Sequence, residues 1–249
     1  MKKIWIVVLW SFTVLYAGKI QIAVASNMGD AIVPLKEAFE EMYPQTQVEV
    51  ILGSSGKLIA QIKNGAPYDL FMSADMKYPQ ALYEEGIATF SPVIYAQGGL
   101  AYLSMKQRNF SVGVKLLIVP EIEKIAIANP KTAPYGVAAE EALKKGGVYE
   151  SIQKKLVYGE SISQTLTYAL RAADIGIVAK SSLFSPSMRH FKEGVHWSEV
   201  DEKLYAPIDQ GMVIVKKSTT MNPEVEAFYA FVLSPKAQEV LKAFGYKVP

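Results

Sequence analysis

Short apolar runs alternate along this chain with stretches in which apolar residues recur every three or four positions. Ile22-Ala23-Val24-Ala25 reads as a buried strand, after which Ala31, Ile32, Leu35, Ala38, Phe39 and Met42 mark one face of a helix ending at Tyr43-Pro44. Pro34 fits only in a first turn, so that helix is expected to begin near Asp30. Residues 47–52 alternate as a strand, and Leu58, Ile59 and Ile62 mark a helix that stops at Asn64-Gly65. A strand over 69–72 and a helix through Ala81 and Leu82 follow, and strand–helix alternation of this kind predicts an α/β layer with a largely parallel sheet.

Residues 93–104 break the pattern, because Gly98-Gly99 interrupts an extended apolar segment, and the spacing predicts a strand crossing from one lobe to another. A second α/β set is expected beyond it: a strand over 124–128, helices over 135–145, 149–156 and 162–172, and a strand over 175–179. Residues 186–197 read as irregular surface loop and 212–215 as a strand. Helices over 223–233 and 235–244 close the chain, the second with Ser234 as N-cap and Pro235 in its first position. The expected organisation is one lobe from 18–97 and 206–249, and a second from 98–205.

The N-terminus has its own signature. Met1-Lys2-Lys3, the apolar run from Ile4 to Leu15, then Ala17 and Gly18 have the charged and apolar regions of a secretory signal peptide over 1–17. Removing Lys2 and Lys3 from the 26 basic residues leaves as many as the 24 acidic ones. With the charges dispersed, nothing points to a nucleic-acid or anionic-membrane surface. The chain has no cysteine, which excludes disulfides, thiolate chemistry and cysteine-ligated metals.

Candidate chemistry gathers where strands run into helix starts, since the first backbone N–H groups of a helix have no partner within it. Four such junctions occur: around Ser26-Asn27, Gly53-Ser54-Ser55-Gly56, Ala133-Pro134-Tyr135-Gly136 and Gly159-Glu160-Ser161-Ile162-Ser163. A dehydrated dianion needs donors on all sides, and hydroxyls with backbone amides supply them without a formal charge. Ser26, Asn27 and Ser55 have that chemistry on the first lobe, the N–H groups of Tyr135 and Ile162 on the second. A cage of donors would also reject a protonated anion, whose O–H would meet no acceptor.

Enzyme readings fare worse. Gly53-Ser54-Ser55-Gly56-Lys57-Leu58 lacks the first glycine of a phosphate loop and has Leu58 in place of the metal-binding hydroxyl. A Gly-x-Ser-x-Gly elbow is absent. His190 and His196 fall in the irregular stretch without a carboxylate–serine arrangement, which leaves a secreted hydrolase using Ser26 or Ser55 without a base. Asp69 and Asp75 read as residues that cap turns and helix starts.

Ala23-Val24-Ala25-Ser26-Asn27, Gly53-Ser54-Ser55-Gly56, the run from Gly65 to Asp75, Asn129-Pro130 through Gly136, and Gly176-Ile177-Val178 together resemble the periplasmic molybdate-binding proteins of molybdate ABC transporters. The Gly-Ala-Pro-x-Asp-Leu-Phe-x-Ser-Ala-Asp segment is the most specific part, and the resemblance spans nearly all of the chain after the leader. It implies a two-lobed type II periplasmic binding protein, each lobe a mixed sheet flanked by helices, closing by hinge bending over molybdate or tungstate in the cleft. It further implies no catalysis, no cofactor, a monomer, a periplasmic location and a membrane permease as partner. On the family's pattern Ser26 and Ser55 donate hydroxyl and backbone hydrogen bonds, and Tyr135 and Ile162 donate backbone N–H groups. Ala179 stands where some members carry a tyrosine hydroxyl, and Asn27 is expected to supply the missing contact. Hydroxyl and amide donors do not name the central atom, so sulfate or phosphate stays open as an alternative ligand.

Overall fold

The computed structural model describes residues 18–217 and 222–249; the expected signal peptide lies outside them. Among the described residues ten strands form two five-stranded sheets. In the first half of the chain β1 (Gly18–Ala25), α1 (Ile32–Met42), β2 (Thr46–Gly53), α2 (Ser55–Lys63), β3 (Leu70–Met72), α3 (Lys77–Glu84) and β4 (Val93–Gly98) follow one another. Beyond Gly99 come β5 (Leu100–Leu103), β6 (Ile125–Ala128), α4 (Pro134–Lys145), α5 (Tyr149–Ile152), β7 (Leu156–Gly159), α6 (Ile162–Arg171), β8 (Ile175–Ala179) and β9 (Trp197–Glu199). The chain then returns through β10 (Ile208–Ile214) to α7 (Pro223–Val232) and α8 (Pro235–Ala243).

The first sheet has the order β2-β1-β3-β10-β4 and the second β7-β6-β8-β5-β9. In each, three neighbouring strands run parallel and the strand that enters from the other lobe pairs antiparallel with both neighbours. Two crossings therefore join the sheets, one at Gly98-Gly99 and one ahead of Ile208. Strand alternation decides which helix covers which face. Ile20, Ile22 and Val24 of β1 pack with Leu35 and Phe39 of α1 and Phe228 of α7, whereas Ala23 and Phe71 face Leu58, Ile59 and Ile62 of α2. In the second sheet Ile125 and Ile127 meet Ala139, Ala142 and Leu143 of α4, and Ala101, Leu103 and Val178 meet Ala169 of α6.

Three predicted segments differ. The helix expected over 149–156 is one α-turn followed by a 3-10 turn at Gln153–Lys155, and Leu156 begins β7. Ile152 and Leu156 have helical spacing, but Leu156-Val157-Tyr158 is a β-favouring run, and pairing with Ile125–Ala128 wins. The irregular stretch expected over 186–197 ends in a short edge strand beside β5. The strand expected over 212–215 starts earlier, at Ile208, because polar Asp209 and Gln210 lie on a buried hinge strand that bulges between Gln210 and Gly211. The first helix starts at Ile32, which puts Pro34 in its first turn as expected.

Candidate functional site

All four junctions end at one place. β1 passes from extended Ala25 into a single 3-10 turn, Ser26–Met28, and all three residues of that turn are buried. At the start of α2 the N-cap residue is Ser54, yet its side chain makes no capping bond. Its hydroxyl is instead buried without a protein partner, as is that of Ser26. Ser55 Oγ accepts from the Ala74 N–H at 3.0 Å, which leaves its own proton to donate.

The first-turn amides are spent one by one, and the remainder is informative. In α2 the Gly56 N–H crosses to the Thr132 carbonyl of the other lobe at 2.9 Å, while those of Lys57 and Leu58 return to the Ser54 carbonyl. In α4 Pro134 has no N–H and the amides of Gly136 and Val137 return to the Ala133 carbonyl, leaving that of Tyr135. In α6 the Ser161 hydroxyl takes the Gln164 N–H at 3.2 Å and the Ser161 carbonyl takes that of Thr165, leaving the N–H groups of Ile162 and Ser163, of which Ile162 lines the cavity. Gly136 lets α4 start so close to the sheet, since a Cβ there would overlap the Ala128 carbonyl.

Ser26, Asn27, Ser55, Tyr135 and Ile162 all line one small cavity with ≈ 10 Å³ of open space, together with Ser54, three alanines and Pro134. That is smaller than the roughly 300–1,000 Å³ clefts that hold drug-sized ligands. Among the described residues no charged side chain is in its wall. The Lys57–Glu160 ion pair spans the lobes but is half exposed on both sides, so solvent screens it. The phenol of Tyr135 is pushed well above its ordinary value by burial, and so stays neutral.

Asn27 is placed differently from the simplest expectation. Its side-chain amide donates to Gln210 Oε1 and to the Tyr246 hydroxyl, both at 2.8 Å. Gln210 Nε2 is itself held by the Ile208 carbonyl at 3.1 Å, which turns Gln210 Oε1 toward Asn27 and fixes this orientation. Both side-chain donors of Asn27 are thus committed, and only its backbone N–H can serve the cavity. Asn27 Oδ1 is a buried acceptor with no protein partner. The Asn27 carbonyl accepts from Ser181 Oγ of the second lobe at 3.1 Å and from Tyr246 at 3.0 Å.

Ser54, Gln210, Tyr246 and Ser181 were not singled out from the sequence. Ser54 carries the signature of an ordinary cap, and the other three lie far along the chain from the junctions they support. Neither histidine lines the cavity; His196 Nδ1 accepts from the Lys192 N–H on the surface. Asp75 does cap a helix start, accepting from the Tyr78 N–H, but Asp69 ties strands together by accepting from the Gln21 N–H and Lys217 Nζ.

Two mixed sheets joined by two crossings, with helix starts from both converging on a small cavity, define a two-lobed type II periplasmic binding protein. Comparison with known proteins agrees: the chain belongs to the bacterial extracellular solute-binding proteins, the model of that family matching residues 20–247. It is 36% identical over 232 residues to the molybdate-binding protein ModA of Rhodobacter capsulatus, covering 92% of this chain and 88% of that one. It is 37% identical over 234 residues to ModA of Azotobacter vinelandii, covering 92% and 90%. The solved structure of the Azotobacter vinelandii periplasmic molybdate-binding protein superposes with a TM-score of 0.84 at 31% identity, over 92% of this chain and 99% of that one.

Proposed function

We propose that this protein is a periplasmic receptor that captures molybdate or tungstate between its lobes and delivers it, unchanged, to the permease of an ABC importer. The observation that carries the reading is the convergence of unspent donors from both lobes on a small cavity with no cation in its wall. Ser26, Ser54 and Ser55 hydroxyls and the N–H groups of Asn27 and Ser55 would hold the anion from the first lobe, those of Tyr135 and Ile162 from the second. The names of these relatives, all molybdate-binding proteins, supply the central atom. The protein needs no cofactor in this role and works as a monomer, reaching the periplasm through the leader over 1–17.

Closure is what the second-lobe donors reward, because an anion that gains Tyr135 and Ile162 contacts only in the closed form shifts the population toward it. A thermal-shift panel with molybdate, tungstate, sulfate and phosphate tests the reading. Molybdate and tungstate should raise the melting temperature, since a ligand bound only by the native state stabilises it by mass action. A response to sulfate or phosphate with none to either metal oxyanion would overturn it.

A further inference from the structure

Tyr135 touches more than the cavity. Its ring is fully buried, and its hydroxyl reaches out of the second lobe onto Gly98, the last residue of β4 in the first sheet. A Cβ built on Gly98 would overlap the Tyr135 hydroxyl oxygen and lie 3.1 Å from both the ring carbon that bears it and Gln210 Nε2. Backbone conformation is not the reason for glycine here, because Gly98 is not among the residues with positive φ. Space is. The neighbouring Gly99 is the informative contrast: its nearest approach to a built Cβ is 3.5 Å, an ordinary contact.

Tyr135 and Gly98 sit on opposite sides of the crossing at Gly99, so the contact between them is one between the lobes. We infer that the Tyr135 hydroxyl and the bare Cα of Gly98 form a steric register for lobe closure, in which Tyr135 positions its own N–H at the anion only if its hydroxyl can seat on Gly98. Position 98 is then a positioning residue for ligand capture although it has no side chain and does not line the cavity. The inference rests on the oxyanion-receptor reading and adds to it the element that sets how far the lobes close.

The test is a double-mutant cycle. Gly98→Ala should weaken molybdate binding by about five- to 150-fold, the affinity equivalent of overpacking strain confined to the closed form. Gly99→Ala should stay within about twofold of the wild type. Measured in the Tyr135→Phe background, where the overlapping oxygen is gone and only the 3.1 Å approaches to the ring carbon and Gln210 Nε2 remain, the Gly98→Ala penalty should fall at least about fivefold. Far-UV circular dichroism and ligand-free melting establish that each variant folds. Because the chain has no cysteine, spin labels at exposed Ala60 and Thr167, on α2 and α6 across the cleft, can report lobe separation without any ligand. Gly98→Ala should lengthen that distance and the double variant restore it.

Wild-type affinity in Gly98→Ala, a penalty that persists in the Tyr135→Phe background, or an unchanged label distance would overturn the inference. Failure of the wild type to bind any metal oxyanion would refute the proposed ligand instead, and the label distances would still decide the register.

Discussion

Ser54→Ala separates the two roles a serine can have at a helix start, because they predict opposite signs. An ordinary N-cap serine is worth about 0.5–2 kcal/mol, so its loss should destabilise the protein. Ser54 makes no capping bond, and its buried hydroxyl has no protein partner. Such a group carries a desolvation cost of about 1–3 kcal/mol, which alanine removes. The ligand-free variant should therefore be as stable as the wild type or more so, by about 1 kcal/mol. For a chain of this size that is an increase of about 2–4 °C in melting temperature. Affinity should move the other way. A hydrogen bond to a charged group contributes about 1.5–3 kcal/mol, so molybdate binding should weaken roughly 10- to 150-fold. Calorimetric titration with ligand-free thermal melts reads both quantities. A lower melting temperature with unchanged affinity would make Ser54 a cap and remove it from the site.

Three further outcomes follow from the same geometry. Ser55→Ala should lose both affinity and stability, the latter by about 1–3 kcal/mol in urea unfolding, because the buried Ala74 N–H would lose its acceptor; an unaltered unfolding midpoint would contradict that role. Gly136→Ala should destabilise by about 1–3 kcal/mol although alanine is the better helix former by about 1 kcal/mol, since the new methyl meets the Ala128 carbonyl; a more stable variant would sink the close-approach argument. Burial raises the carboxyl of Asp75 above its ordinary 3.8, outweighing the bonds from the Tyr78 N–H and Ser73 that lower it. The native state then binds this proton more tightly than the unfolded chain, so Asp75 favours folding as pH falls through the raised value and loses that contribution as pH rises. The stability difference between wild type and Asp75→Asn, followed by denaturant titration from pH 7 to 4, should shift in favour of the wild type toward acid; a shift in favour of Asp75→Asn would refute it.

The residues that line this cavity were legible from sequence where local chemistry places them. An apolar strand ending in small polar residues at a helix start announces free amides whatever the tertiary fold, which is why Ser26, Asn27, Ser55, Tyr135 and Ile162 were found from the junctions and meet in one cavity. Where a partner distant in sequence decides, the signal vanished. Ser54 reads as a cap because nothing local says that its hydroxyl turns inward. Asn27 reads as a donor because Gln210 and Tyr246, which take both its side-chain protons, lie 183 and 219 residues away. The same holds for the fold. β1 and β2, with eight residues each, were recognisable, whereas β9, with three, exists because β5 offers it an edge.

The absence of a cation from the cavity wall bears on how such a receptor can open and close. A lysine there would bind an anion strongly, but a closed cavity would then bury an unpaired charge at a cost of several kcal/mol whenever no anion was held. Helix-start amides and hydroxyls carry a smaller penalty. Even so, the Ser26 and Ser54 hydroxyls find no protein acceptor once the lobes meet, about 1–3 kcal/mol each against closing without an anion. Opposing this are a few bonds between lobes: the Gly56 N–H to the Thr132 carbonyl at 2.9 Å, Ser163 Oγ to the Ser26 carbonyl at 2.9 Å and Ser181 Oγ to the Asn27 carbonyl at 3.1 Å. At a net of about 0.5–1.5 kcal/mol each, these are of the same order as the penalty, so neither term dominates. An anion that satisfies the orphaned hydroxyls and adds the Tyr135 and Ile162 amides then decides the balance, and closure reports occupancy because the empty protein is poised between open and closed forms.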